Sequence, residues 1–377
     1  MKHAKKLIPV AIAALIFSAC QKNDQPISEI ATKKVETNNI VGHVYTLSNQ
    51  VAGNEVLDYT RSSTGHLTWS ASYSTGGTGT GGGLGNQGAL ILTTTGNFLL
   101  AVNPGSNTIA SLEISGSGLT LVSTVSSGGM MPISITQYGN FVFVLNAGGD
   151  GNISGFTMDG DGNLTAIAGS TRPLSSTMSG PAQISFVQDG KVLVVTEKAT
   201  NKIISYTVDG SGTAGMMHSI TSANPTPFGF AVGHNNYIYV SEADGGAPGA
   251  STVSSYYVGM DGAITLATGP VSAGQTAACW VVVTNNGKYV YATNTGDNNV
   301  SSFLAGSSGS LEVLEAIAGT TEAGPIDAAF SNNSKFLYVL NAGGHSIDAF
   351  SVGNNGSLNS LQTVAGIPEG ATGLAAK

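Results

Sequence analysis

From Val41 onward, apolar and polar positions alternate in short runs, and no helical period competes with them. One run recurs seven times, an alternating strand that ends on a polar residue, usually Asn. The copies are Val44-Tyr-Thr-Leu-Ser-Asn49, Leu99-Leu-Ala-Val-Asn103, Phe141-Val-Phe-Val-Leu-Asn146, Val192-Leu-Val-Val-Thr-Glu197, Tyr237-Ile-Tyr-Val-Ser-Glu242, Tyr289-Val-Tyr-Ala-Thr-Asn294 and Phe336-Leu-Tyr-Val-Leu-Asn341. Their terminal residues are spaced by 54, 43, 51, 45, 52 and 47. A glycine follows each at nearly constant distance: Gly65, Gly118, Gly162, Gly212, Gly262, Gly309 and Gly356. Turn dipeptides such as Gly96-Asn97, Asp189-Gly190 and Asn286-Gly287 precede the strands, and such pairs suit two-residue hairpins. A further apolar strand lies before each turn, as at Ile184–Val187 and Cys279–Val283. Each unit is therefore four strands, A to D. Tandem four-stranded units of 40–50 residues indicate a β-propeller. The expected fold is all-β, with seven blades of four antiparallel strands. Blade 1 lacks strand A at its start, and Ala371–Ala376 is expected to supply it, which would close the ring and hide the sheet edges.

The start of the chain has a different pattern. Three lysines precede the short apolar run Leu7–Phe17, followed by Ser18-Ala19-Cys20, which reads as a secretory signal. The run is shorter than the roughly 20 apolar residues a bilayer span needs. Phe17-Ser18-Ala19-Cys20 resembles the lipobox of bacterial lipoproteins, which makes Cys20 the expected lipidation site. The domain reading is a signal peptide at 1–19, a flexible tether at 20–40 and the propeller at 41–377. An exported lipoprotein is expected, in the outer membrane on its periplasmic or outer surface. Its membrane contact is expected to be through the lipid alone, with the propeller a monomer. With Cys20 acylated, Cys279 is left without a disulfide partner.

Composition narrows the function classes. Of 377 residues 52 are glycine, roughly twice the usual share of about 7%. Charged residues make up only 10%. Removing Lys2, Lys5 and Lys6 from the 14 basic residues leaves 11 against 22 acidic ones. Nucleic acid is not an expected partner, because no basic patch is available to meet phosphates. The histidines lack zinc-site spacing, Gly77–Gly82 has no helix after it to make a dinucleotide loop, and Asp159–Ser170 lacks the final Glu of a calcium loop. No metal or cofactor is expected.

In propellers the D–A and B–C loops share one face around the channel mouth. Lys191, Lys288, Lys335 and Arg61 fall on the opposite face, which leaves Arg172, Lys198 and Lys202 as cations near the mouth. Glu197 and Glu242 break the Asn pattern in the same sector. A buried or cleft carboxylate beside cations suits water activation and oxyanion stabilisation. The expected catalytic set is Glu197 as base with Lys198 and Arg172 as oxyanion cations. The expected ligand contacts are Gln183, Glu242, Asp244, Phe228, Gln275 and His345. Asp244 lies in the enlarged 243–251 loop, a candidate lid. Cys279 and Trp280 read as core.

The Tyr289-Val-Tyr-Ala-Thr-Asn294 type of strand resembles the repeats of the seven-bladed lactonase family, which includes propeller 6-phosphogluconolactonases and carboxymuconate cyclases. The resemblance covers about Val41 to the C-terminus. It implies a lactone-opening hydrolase with a small-molecule lactone as substrate. That family's usual site strand carries a Pro-His pair, whereas Gly180-Pro-Ala-Gln183 has Gln183 in place of a base. An exported protein is also not expected to meet a phosphorylated sugar lactone. The alternative is a non-catalytic surface propeller that binds a glycan, peptide or protein on the same face.

Overall fold

The computed structural model describes residues 39–377. The signal segment, Cys20 and nearly all of the tether lie outside the described residues. The described chain forms seven antiparallel sheets. In blade 1, strands Ile40–Leu47, Glu55–Ser62 and Leu67–Ser74 are completed on the inside by Thr372–Ala376. Val44 and Tyr45 pair with Ala376 and Ala375, so the C-terminal strand closes the ring as the repeat implied. Blade 4 shows the regular order, Pro181–Val187, Val192–Glu197, Lys202–Val208 and Ala214–Thr221. The inner strands of blades 2, 3, 5, 6 and 7 are Leu90–Leu92, Met130–Tyr138, Pro227–Val232, Ala278–Val283 and Pro325–Phe330. In blade 3 the outer strand is broken. Leu164–Ala166 and Arg172–Pro173 both pair with Asn152–Met158.

The core lies in the seams between blades, because each sheet turns an apolar face to its neighbour. Ile184, Phe186, Leu193 and Val195 of blade 4 pack on Phe143, Leu145 and Ile153 of blade 3. On the other side Val192 and Val194 meet Phe230, Ile238 and Val240 of blade 5.

The recurring glycine of each C–D turn has a physical reason. All seven have a left-handed φ, from +78° to +112°. Most also seat a ring of the neighbouring blade. A Cβ on Gly65, Gly162, Gly309 or Gly356 would strike Phe336, Phe98, Tyr237 or Tyr289. Several of their carbonyls accept a hydroxyl from the preceding blade. Tyr291 donates to Gly356 at 2.7 Å and Tyr338 to Gly65 at 3.0 Å. Glycine here serves turn geometry and close approach together.

Candidate functional site

The polar residues that end the B strands tie strands within a blade and across the seam to the neighbouring one. Asn103 Oδ1 accepts from Asn54 Nδ2 at 2.9 Å and Thr75 Oγ1 at 2.6 Å. Asn294 Nδ2 donates to Asn299 Oδ1 and Ser301 Oγ, on the next strand. Among these Asn residues only Asn49 has a left-handed φ. In the B–C turns of blades 2, 4, 6 and 7 that conformation belongs to the residue four positions later: Asn107, Asn201, Asn298 and His345. The Oδ1 atoms of Asn107, Asn201 and Asn298 accept an N–H from Met131, Thr226 and Gly324, at the start of the following blade.

The two Glu residues do the same work with a longer reach. Glu197 and Glu242 are both fully buried. Glu197 accepts the Ser175 N–H at 2.9 Å, the Ser175 hydroxyl, and the Thr200 hydroxyl at 2.5 Å. Glu242 accepts four hydroxyls: Ser222 at 2.6 Å, Tyr256 at 2.7 Å, Thr252 at 2.7 Å and Ser254 at 2.6 Å. A carboxylate is stable in such a place because charge-assisted bonds replace its water. The same bonds keep Glu197 away from a substrate and from solvent, so the expected base is a structural tie.

Arg172 and Gln183 do not join it at the mouth. Arg172 lies on the short outer strand of blade 3, not in a free D–A loop. Its guanidinium caps the carbonyls of Gly215, Gly169 and Thr171 at 2.8–3.1 Å. Gln183 is buried and bridges two blades. Its amide accepts the Phe230 N–H at 2.6 Å and donates to the Phe230 carbonyl at 3.0 Å. This is strand-like pairing made by a side chain. Ser134 and Thr136 of blade 3 accept the N–H groups of Ile184 and Phe186 in the same way, each at 3.1 Å.

The Gly-rich segment before blade 2 leads into the ring of inner strands. It enters the channel from the D–A side. Gln87 N–H donates to Ala182 at 3.1 Å, and the Gln87 carbonyl accepts the Ser134 hydroxyl at 2.6 Å. The Gln87 amide pairs both ways with Val281, at 2.9 and 3.2 Å. The Asn86 carbonyl accepts the Trp280 indole N–H at 2.5 Å. Its side chain donates to the Ile133 carbonyl and accepts from Thr372 at 3.2 Å. These partners sit on the inner strands of blades 1, 3, 4 and 6, so residues 85–87 cross the channel and fill it there. The signal for this was present in sequence as two amides, Asn86 and Gln87, set between Gly85 and Gly88.

Lys198 is the one member of the expected catalytic set at the filled mouth. It is half-buried. Its Nζ donates to the Gly85 carbonyl and lies 4.5 Å from the centroid of the Phe228 ring, a cation–π distance. Phe228 in turn packs on Trp280, with centroids 4.9 Å apart. Burial lowers the Lys198 ammonium to a pKa of about 8, and the nearby Cys279 pulls only weakly the other way. Cys279 is buried beside Ala243 and Trp280, and burial pushes its thiol up to about 11. An inert core thiol is what the sequence implied.

The remaining expected contacts are dispersed. Glu242 is enclosed, as above. Gln275 is tied to Asn299 at 2.6 Å. His345 is exposed and takes the left-handed turn position of blade 7. Asp244 lies in a short 3-10 turn of the 243–251 loop, which runs along the exposed surface. A buried acid outside the expected set is Asp327. Asp327 of blade 7 pairs with Leu340, one residue before the terminal Asn341, as Gln183 pairs with Thr196 before Glu197. Burial raises its carboxyl to about 8, against hydrogen bonds from the Ala328 and Leu374 amides. Among the described residues no three His, Cys, Asp or Glu side chains gather as metal ligands.

The family model for seven-bladed β-propeller lactonases matches residues 41–172 and 249–377. The chain belongs to that lactonase family. The two matched stretches flank residues 173–248, the part of this lactonase-family chain that holds Gln183, Glu197, Lys198 and Phe228. The propeller also superposes on solved structures of low identity. A putative 6-phosphogluconolactonase from Bacteroides uniformis matches with TM-score 0.70 at 18% identity, covering 88% of this chain and 99% of that one. A periplasmic gluconolactonase from Pseudomonas aeruginosa matches with TM-score 0.68 at 17% identity, covering 88% and 98%. A putative 6-phosphogluconolactonase from Bacteroides fragilis matches with TM-score 0.68 at 18% identity, covering 90% and 99%. At such identity the likeness is one of fold. No curated protein sequence matches the chain.

Proposed function

We propose that this protein is an exported lactonase-type hydrolase that opens an unphosphorylated lactone at the D–A and B–C face. Lys198 is its electrophilic group. Family membership supports the reaction class. The observation that carries the assignment is Lys198 itself, a half-buried ammonium set on Phe228 and shifted down to about 8. A lactone carbonyl oxygen approaching Nζ accepts a hydrogen bond that strengthens as the oxygen becomes an anion. The apolar Phe228–Trp280 surface makes that bond worth more than it is in water. Hydroxide adds to the carbonyl carbon, the ring C–O bond breaks, and the ring oxygen takes its proton from water, leaving a hydroxy acid. In this reading no protein carboxylate acts as base, since Glu197 is enclosed.

The second reading, a non-catalytic binder, is favoured by one observation. The hydrogen-bonding groups of Glu197, Glu242 and Gln183 are engaged within the fold. A panel of unphosphorylated sugar and aliphatic lactones, followed by acid release and by calorimetry, separates the two. Turnover of at least one lactone that Lys198→Met lowers by about 10²-fold or more supports the hydrolase. Binding without turnover supports the binder. Export through a lipidated Cys20 belongs to the same proposal. It is tested by palmitate labelling of the wild type and of Cys20→Ala, with label expected only in the wild type.

A further inference from the structure

The opposite face keeps an open cavity. It has a volume of about 580 Å³ and lies among the A–B turns of blades 2 to 5. Its wall includes an aromatic platform. Tyr138 is 41% exposed, and its ring rests against Gly190, where any Cβ would strike it. Phe186 supports the ring from the side, with centroids 6.3 Å apart.

The polar groups around this platform include three acceptors. The Asp189 carboxylate is exposed on a turn held by left-handed φ values at Gln188, Asp189 and Gly190. Among the described residues it makes no hydrogen bond or ion pair. Asn235 Nδ2 gives one of its two N–H groups to the Ser307 carbonyl at 3.2 Å, and its Oδ1 is an acceptor. His234 Nε2 lies 2.9 Å from the Asn285 carbonyl, so Nε2 carries the proton and Nδ1 accepts in the neutral ring. Asn236 adds an amide, and among the described residues no Lys or Arg lines the cavity.

We infer that this cavity is a second binding site, for an uncharged polyhydroxylated ligand of the saccharide class. A sugar presents hydroxyl donors that match the Asp189, Asn235 and His234 acceptors. It also offers a flat C–H face for the Tyr138 ring. An anionic ligand meets the Asp189 carboxylate, with no Lys or Arg among the described residues of the lining. A hydrophobic ligand would strip water from these acceptors without replacing the bonds. The site is independent of Lys198, which lies on the other face.

The test is saturation-transfer NMR and calorimetry on the purified propeller with glucose, galactose, mannose, cellobiose and maltose. Glucuronate serves as the charged counterpart. At least one neutral sugar is expected to bind, glucuronate at least tenfold more weakly than its neutral counterpart. Asp189→Asn and Tyr138→Ala are each expected to weaken binding tenfold or more, while Lys198→Met leaves it unchanged. Asp189 is exposed, so its variant keeps the test sound even where Tyr138→Ala lowers stability. Binding of none of these sugars, binding indifferent to Asp189→Asn, or equal binding of glucuronate overturns the inference. Loss of binding in Lys198→Met would place the sugar on the other face and would also overturn it.

Discussion

The side-chain amide of Gln87 occupies the space that a side chain at Gly229 would need. A Cβ on Gly229 would overlap Gln87 Oε1 and come within 2.7 Å of the Cys279 carbonyl oxygen. Blade 4 seals its seam to blade 5 with Gln183. Blade 5 has glycine at the matching place, and the channel segment supplies the missing amide to Val281. Gly229→Ala is therefore expected to cost about 1–3 kcal/mol, the usual range for overpacking. It should also speed hydrogen exchange at Gln87. Denaturant unfolding and exchange together check this. An unchanged midpoint would show that the segment is not seated as described.

Asp327 makes stability depend on pH. Its folded pKa is about 8, well above the ordinary aspartate value of 3.8. A carboxyl raised on folding supports the fold fully below its unfolded pKa, and that support is lost as pH rises toward the folded one. Stability from this group should fall between about pH 4 and pH 8. Asp327→Asn is expected to unfold at a higher midpoint than wild type at pH 8, with the gap closing near pH 4. A variant that is equally or less stable at pH 8 would contradict the assignment.

Glu242 holds four hydroxyls, three from the Thr252–Val258 strand of blade 5 and one, Ser222, from the end of blade 4. Gln at this position keeps one acceptor oxygen where there were two. The expected loss is about 1–3 kcal/mol, the cost of leaving buried polar groups unpaired. It would appear as a lower unfolding midpoint with an unchanged denaturant slope. A neutral outcome would mean that the hydroxyls rotate to other acceptors.

Ring closure rests on the last strand. Ile367, Ala371, Leu374 and Ala376 pack with Val44, Tyr59 and Tyr338, and Arg61 donates to the Lys377 carbonyl at 3.0 Å. Deleting residues 367–377 exposes this seam and the inner edge of blade 1. A sharp drop in midpoint is expected, and an unaffected midpoint would contradict closure.

The propeller was legible because its repeat couples two signals with separate physical causes. The alternating strand fills a seam, and the C–D glycine seats a neighbour's ring in a left-handed turn. Both recur together every 43 to 54 residues, so the blade number followed from the repeat and the closing strand from the strand missing in blade 1. The site was not legible for a matching reason. Glu197 and Glu242 stood out because they replace Asn, yet their partners explain the replacement. Ser175, Thr200, Ser222, Thr252, Ser254 and Tyr256 are ordinary residues whose convergence appears only in three dimensions. The channel segment was not legible because it is glycine-rich, and Asn86 and Gln87 carry no period. Asp327 sits on an apolar strand, where its depth is invisible in sequence.

Lys198 carries the functional claim, and the pH dependence of kcat/KM for lactone opening tests it most directly. Hydroxide raises the rate with pH, while the ammonium share of Lys198 falls above about pH 8. The rate should climb tenfold per pH unit at first and level off above about pH 8. Lys198→Met is expected to lower the rate by about 10²–10³-fold, the usual loss of one oxyanion donor, and to abolish the break. A profile without a break in the wild type, or a Lys198→Met protein as active as wild type, would contradict the account.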